Sequence, residues 1–146
     1  YLYKIDIVMR NKNILVFGST GFIGRSIVKR LLSDEYKVLC PVRNPASVKR
    51  NILSGDIGQI EVFDFDLHDL SNLENLIKKS DVVLNLIGLL FEKSSMSFEL
   101  AHFLLPKKIS FYAEKYNKPF LHISSLGSSF DTNPAFRSPN LVVITQ

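Results

Sequence analysis

The residues with the clearest chemical purpose are three glycines, Gly18, Gly21 and Gly24, spaced through Gly18-Ser19-Thr20-Gly21-Phe22-Ile23-Gly24. An apolar run, Ile14-Leu15-Val16-Phe17, leads into them and a helical pattern leads out. That order reads as strand, tight turn and helix start, which offers backbone amides and a helix dipole to a pyrophosphate. The first glycine can take backbone angles closed to other residues, and the second lets the main chain approach phosphate without a Cβ in the way. The third lets the helix pack closely on the strand. Thr20, Phe22 and Ile23 complete the turn and belong to the same candidate site. An ordinary strand-to-helix turn without a ligand is the plain alternative. A nucleoside-triphosphate loop of the type G-x-x-x-x-G-K-S/T is excluded, because it needs glycine where Ile23 stands.

Other reactive side chains form no recognisable constellation. His68, His102 and His122 are scattered without metal-ligand spacing, and His122, in a strand pattern, reads as a packed or partnered core residue. Asp64 and Asp66 have the spacing of a metal pair but no third ligand, so no metal site is expected. The G-x-S-x-G elbow of a serine hydrolase is absent. Cys40, the single cysteine, excludes an intramolecular disulfide and reads as a buried, inert thiol in a reducing compartment.

The elements that must position the glycine turn alternate regularly. After the first strand, Asn13 to Phe17, a helix from Phe22 to Ser33 carries Ile23, Ile27 and Leu31 on one face. A second strand spans Lys37 to Val42, and Pro45 opens a short helical segment through Arg50. A third strand, near Ile60 to Phe65, is followed by a helix from Leu70 to Lys79 capped by Asp69 or Ser71. The fourth strand, Val82 to Ile87, is almost continuously apolar, as a strand buried on both faces must be. A helical stretch from about Ser97 to Tyr116 contains Pro106, which demands a kink or a division into two helices. A fifth strand, Pro119 to Ser124, a loop rich in Ser, Gly, Asn and Pro, and a last strand-like run, Leu141 to Thr145, complete the chain.

This alternation predicts an α/β fold of the Rossmann type, a doubly wound parallel sheet with helices on both faces and right-handed crossovers. Ligands in such sheets lie beyond the carboxyl ends of the strands, beside the first strand. At the end of the second strand an NAD site usually offers an acidic residue to the adenosine ribose. This chain has Pro41-Val42-Arg43-Asn44 there, and Arg43 suits a 2′-phosphate. NADP is therefore favoured over NAD, with a solvated loop arginine as the alternative.

With 146 residues the chain is one domain by size, and 46% hydrophobic content suffices for a continuous core. The division expected is an N-terminal extension over residues 1–12 and a dinucleotide-binding domain over 13–146. The formal charge is +4, but the basic residues fall in pairs, Lys29-Arg30, Lys49-Arg50 and Lys78-Lys79 at or near helix ends, and Lys107-Lys108. No cluster is interleaved with aromatics as a nucleic-acid groove requires, so no nucleic-acid partner is expected. Val82 to Phe91 is the longest apolar run, well short of the roughly 20 residues that span a bilayer, and no secretory signal is read. The chain starts at Tyr1 and stops directly after a strand pattern, which reads as C-terminal truncation, with Met9 as a candidate natural start.

On the glycine turn and the Asp81-Val82-Val83 to Asn85-Leu86-Ile87-Gly88 segment, the chain resembles the N-terminal part of an extended or atypical short-chain dehydrogenase/reductase, the epimerase-like superfamily. The second segment is similar to the branch that contains the 39 kDa accessory subunit of respiratory complex I. The resemblance covers about residues 13 to 126. It implies that Asp66 and Leu67 meet the adenine ring, that Asn85, Ile87 and Gly88 line the cofactor, and that Ser124 and Ser125 stand where the family holds its catalytic serine. Solvated turn carboxylates at Asp64 and Asp66 are the alternative.

Catalysis in that superfamily needs a tyrosine with a lysine four residues later, which lowers the phenol pKa. The residues four after Tyr1, Tyr3, Tyr36, Tyr112 and Tyr116 are Ile5, Ile7, Cys40, Tyr116 and Phe120, and every tyrosine precedes Ser124. The chain is therefore expected to bind NADP or NAD without hydride transfer as it stands. The alternatives are an N-terminal fragment of an active reductase or epimerase, an accessory subunit with a respiratory-complex or other protein partner, and a degraded remnant. The expected setting is cytoplasmic, or peripheral to an inner membrane in the accessory-subunit reading.

Overall fold

A computed structural model describes residues 12–48, 56, 58–89, 97–124 and 141–145. The strands are β1 (Asn13–Phe17), β2 (Lys37–Val42), β3 (Ile60–Asp64), β4 (Val82–Asn85), β5 (Phe120–Ser124) and β6 (Leu141–Thr145). The helices are α1 (Phe22–Ser33), α2 (Leu73–Lys79) and α3 (Leu105–Lys115), the last preceded by a π-helical turn, Leu100–Leu104. The strands form one six-stranded sheet in the order β3-β2-β1-β4-β5-β6, every neighbouring pair parallel. This is the doubly wound Rossmann-type fold.

The apolar run of β1 is explained by burial on both faces. Ile14 and Val16 pack with Val28 and Leu32 of α1, while Leu15 and Phe17 join Leu73, Leu76 and Ile77 of α2 and Leu105, Ile109 and Ala113 of α3. Successive residues of a strand point to opposite faces, so a strand covered on both sides must be apolar throughout. The chain leaves β1 toward β2 through α1 on one face, and reaches β4 and β5 through α2 and α3 on the other. With crossovers of one hand, reversing the direction of travel along the sheet places the helices on opposite faces. Between β1 and β4, where that reversal occurs, sheets of this kind take their ligands at the carboxyl ends.

Several elements differ from the sequence reading. Helix α2 begins at Leu73 rather than Leu70, because the Asp69 carboxylate accepts the Ser71 N–H at 3.0 Å and holds that segment in a turn. The flanking Asn72 gives α2 no side-chain cap, and Leu70 still packs on the core. Strand β4 stops at Asn85 instead of Ile87. The Leu86 N–H still donates to the Phe17 carbonyl at 3.0 Å, but the Ile87 N–H turns to the Asn85 side chain. Pro45–Ser47 is a 3-10 turn, and Lys49 and Arg50 lie outside the described residues.

Pro106 stands at the division the sequence expects, where the π-helical turn ends at Leu104 and α3 begins at Leu105. It occupies the first turn of α3, where a missing N–H is tolerated, and the Leu105 N–H reaches back to the Leu100 carbonyl through the wide π turn. Pro41 is accommodated within β2 because pairing with β1 runs only through Leu15 and Leu39. Beyond Leu39 the strand keeps its β3 partner and parts from β1.

Candidate functional site

Where β1 and β2 part, a cavity of about 220 Å³ opens at the carboxyl end of the sheet. Its wall is drawn from the ends of β1, β2, β3 and β4: Gly18, Thr20 and Gly21, then Val42 and Arg43, Phe65 and Leu67, and Leu86 through Leu89. The glycine turn forms its floor. The Gly21 N–H donates to the Gly18 carbonyl at 3.1 Å, and the Arg25 N–H to the Gly21 carbonyl at 3.0 Å. Gly21 is the N-cap of α1 and offers no side-chain oxygen, and the first turn carries no acidic residue. The opening amides of a helix lack intrahelical acceptors, so α1 presents uncapped donors and the positive end of its dipole.

The three glycines are required for different reasons. Gly18 has φ +78°, and a Cβ there would lie 2.9 Å from the Ile87 nitrogen, so the turn packs backbone to backbone against the start of the Leu86–Leu89 segment. A Cβ on Gly24 would come within 2.0 Å of the Gly18 carbonyl oxygen. The sequence reading assigned Gly24 to packing of helix on strand; its closest neighbours are in the turn itself, Gly18 and Ser19. A Cβ on Gly21 would meet only the Gly18 oxygen, at 3.2 Å, and Gly21 faces the cavity. The space a side chain would occupy there is the space a phosphate needs, so these residues fit a pyrophosphate.

Thr20, Gly21, Arg43, Leu67, Ile87 and Gly88 are brought together at this cavity, as is Gly18. Arg43 stands exposed at its mouth. Phe22 is 85% exposed, and it and Ile23 lie outside the wall. Asp66 is exposed next to Leu67 and outside the wall, with one carboxylate oxygen accepting the His68 N–H at 2.9 Å.

Asn85 differs from its expected role. It is fully buried behind the wall, its Oδ1 accepting the Ile87 N–H at 3.2 Å and its Nδ2 lying 3.2 Å from His122 Nδ1. It supports the lining without being part of it. Ser124 ends β5 opposite Thr145 of β6, and Ser125 lies outside the described residues.

Sequence reasoning missed Phe17, Pro41, Val42, Phe65, Leu86 and Leu89 in the wall. Their types do not separate a lining residue from a core residue; only their position at strand ends does. Cys40 is fully buried, and burial pushes its thiol pKa up to about 11, with the Ser19 hydroxyl pulling the other way. Roughly one thiol in ten thousand is then ionised at pH 7, which removes it as a nucleophile. Among the described residues, no group of three or more His, Cys, Asp or Glu side chains could hold a metal, and no helix is long and apolar enough to cross a membrane.

Comparison with known proteins agrees with this geometry. Residues 14–137 match the model of the NAD dependent epimerase/dehydratase family. The chain is 36% identical over 111 residues to the mitochondrial NADH-ubiquinone oxidoreductase 40 kDa subunit of Neurospora crassa, a match covering 75% of this chain and 30% of that protein. It is 35% identical over 117 residues to the mitochondrial NADH dehydrogenase [ubiquinone] 1 alpha subcomplex subunit 9 of Arabidopsis thaliana, covering 78% of this chain and 29% of that protein. The chain thus spans about a third of the length of these curated relatives. Among solved structures it superposes on the Bordetella bronchiseptica enzyme WbmH in complex with NAD+ with a TM-score of 0.66 at 19% identity, over 80% of this chain and 40% of that one. It superposes on uronate dehydrogenase from Agrobacterium tumefaciens with a TM-score of 0.62 at 21% identity, over 80% of this chain and 42% of that one. These two likenesses concern the fold. The glycine turn at the sheet's switch point and the family match over residues 14–137 lead to one conclusion: the chain belongs to the NAD dependent epimerase/dehydratase family.

Proposed function

We propose that the chain binds a nicotinamide dinucleotide in the cleft above β1 and β4, and that as it stands it does not transfer hydride. The observation that carries the reading is the uncapped start of α1 beneath Gly18, Gly21 and Gly24, facing a cavity with a charged residue at its mouth. The cavity is small for a whole dinucleotide and suits its adenosine half. The pyrophosphate lies on the amides of Gly21, Phe22, Ile23 and Gly24, the adenine beside Leu67 and Asp66, and Ile87 and Gly88 bound the opposite side. Arg43 at the mouth favours NADP over NAD, since a guanidinium pairs with a 2′-phosphate through charge-assisted hydrogen bonds. Ser124 and Ser125 keep the place of a catalytic serine, but no tyrosine is followed four residues later by lysine.

The test is isothermal titration of the folded chain with NADP+ and NAD+, combined with thermal melts. Saturable binding with a raised melting temperature is the expected result. Absence of both effects in a protein that melts cooperatively refutes the reading.

A second reading concerns partners. The Neurospora and Arabidopsis relatives are mitochondrial NADH dehydrogenase subunits, which supports a role for this chain as a dinucleotide-holding accessory component of a respiratory assembly, peripheral to an inner membrane. A tagged chain that fails to co-migrate with a respiratory complex on native gels counts against it. A Tyr-x-x-x-Lys in coding sequence downstream of Gln146 would favour an active reductase or epimerase instead.

A further inference from the structure

Behind the Leu86–Leu89 wall, Phe17 of β1, Asn85 of β4 and His122 of β5 stand in one register row across three strands. Asn85 is fully buried and His122 is 3% exposed. A carboxamide has two donors on nitrogen and acceptor lone pairs on oxygen. The Ile87 N–H can be met only by Oδ1, so the Asn85 nitrogen faces His122 Nδ1. That contact is a hydrogen bond only if Nδ1 carries a lone pair, which places the imidazole proton on Nε2 and leaves the ring neutral.

We propose that His122 is a positioning residue for the cleft: its Nδ1 lone pair locks the Asn85 amide so that Oδ1 holds the Ile87 N–H and the Leu86–Leu89 wall stays seated against the Gly18 turn. The lock cannot be satisfied by a protonated ring. Imidazolium places an N–H against the Asn85 NH2, and flipping the amide turns that NH2 against the Ile87 N–H, so the conflict moves without disappearing. A buried donor left unpaired is costly, and the strain falls on Ile87, whose nitrogen is where the wall touches the glycine turn.

The surroundings favour the neutral ring. Burial pushes the His122 pKa below its ordinary value, the Asn85 backbone pulls it up, and the neighbouring His102 pushes it down. Phe120 stacks on the ring with centroids 6.1 Å apart. Among the described residues, His102, from the π-helical turn, is the titratable group that bears on His122, and its Nε2 lies 3.2 Å from the Leu89 nitrogen and 3.3 Å from the Leu89 oxygen at the far end of the same wall.

The consequence for ligand affinity rests on the dinucleotide reading of the cleft; the hydrogen-bond assignment does not. The experiment therefore has two arms. In the first, nitrogen-15 NMR of the full chain at about pH 7.5 should show His122 protonated on Nε2. Hydrogen exchange at the Ile87 amide should be slow, and should speed up at least about ten-fold in His122→Leu, while His122→Gln, which supplies a carbonyl acceptor, keeps it slow. In the second arm, NAD+ affinity should fall between about pH 7.5 and about pH 5.5 in the wild type and in His102→Gln, by less than about ten-fold because burial lowers the His122 pKa, and stay level in His122→Gln. A proton on Nδ1, or Ile87 exchange unchanged in His122→Leu, overturns the proposal. So does NAD+ binding whose acid dependence survives in His122→Gln. If NAD+ does not bind at any pH, the function proposed above fails, and the first arm still decides this one.

Discussion

Replacing Gly24 with alanine tests whether the glycine turn is built as described. A Cβ there would lie 2.0 Å from the Gly18 carbonyl oxygen and 2.9 Å from the Gly18 and Ser19 carbonyl carbons. Reaching a tolerable separation of about 3.2 Å requires roughly 1.2 Å of movement between α1 and the end of β1, and both partners are backbone, so no side chain can rotate aside. Overpacking of this kind costs about 3 kcal/mol, at the upper end of its usual range. Alanine regains about 1 kcal/mol through its better helix propensity, leaving a net loss of about 2 kcal/mol. For a chain of this size that corresponds to a fall in melting temperature of roughly 6–8 °C. Gly21→Ala is the control. Its Cβ would meet one atom at 3.2 Å, and its φ of −70° suits any residue, so stability should change by less than about 0.5 kcal/mol while dinucleotide affinity falls. Circular-dichroism melts and dinucleotide titrations of both variants give the answer. A Gly24→Ala protein that melts at or above the wild type refutes the geometric argument, and unchanged affinity in Gly21→Ala means the turn does not face phosphate.

Arg43→Ala should weaken NADP+ binding by about ten-fold or more and leave NAD+ binding unchanged, as the loss of a charge-assisted hydrogen bond predicts; equal losses for both would assign Arg43 another role. Glu74 accepts hydrogen bonds from Tyr116 and Lys115 across the α2–α3 contact, and these hold its pKa down at about 2. A carboxylate with a depressed folded pKa contributes stability above its unfolded value, near 4.5, and loses it as the pH falls toward about 2. Acid titration of Glu74→Gln should accordingly show a flatter stability profile over that window than the wild type, and an identical profile would remove the hydrogen-bonded cluster as its cause. Cys40 should resist alkylation in the folded chain at pH 7 and react only at the rate of global or local opening, so labelling that outpaces hydrogen exchange in β2 would contradict its burial.

The fold was legible in the sequence where the signal is local. The run Ile14 to Phe17 before Gly18 announces a strand entering a turn, and the nearly unbroken apolar Val82 to Ile87 announces a strand covered on both faces. The cleft's backbone elements were legible for the same reason, since the turn and its helix are contiguous in the chain. What could not be read depends on partners far away in sequence. Asn85 looks like a residue at a strand end that faces the ligand; its partner His122 is 37 positions on, and only the β4–β5 register turns the pair into a support behind the wall. The start of α2 was misplaced because Asp69 closes a turn on Ser71 instead of capping a helix, a competition between two uses of one carboxylate. Pro41 could not be recognised as part of a cavity wall, because its effect lies in the β1 pairing that does not follow Leu39.

The wide turn at Leu100–Leu104 amounts to one extra residue spliced into a helical register. Deleting a single residue there would restore ordinary winding, and because the wide turn already absorbs the extra residue, the faces on either side of it, including Leu105, Ile109 and Ala113 on the core, would keep their alignment. The turn that closes is the one that carries His102 to Leu89. The splice therefore ties the spacing of one helix to the far edge of the cleft, and a one-residue deletion would detach that edge without touching the glycine turn.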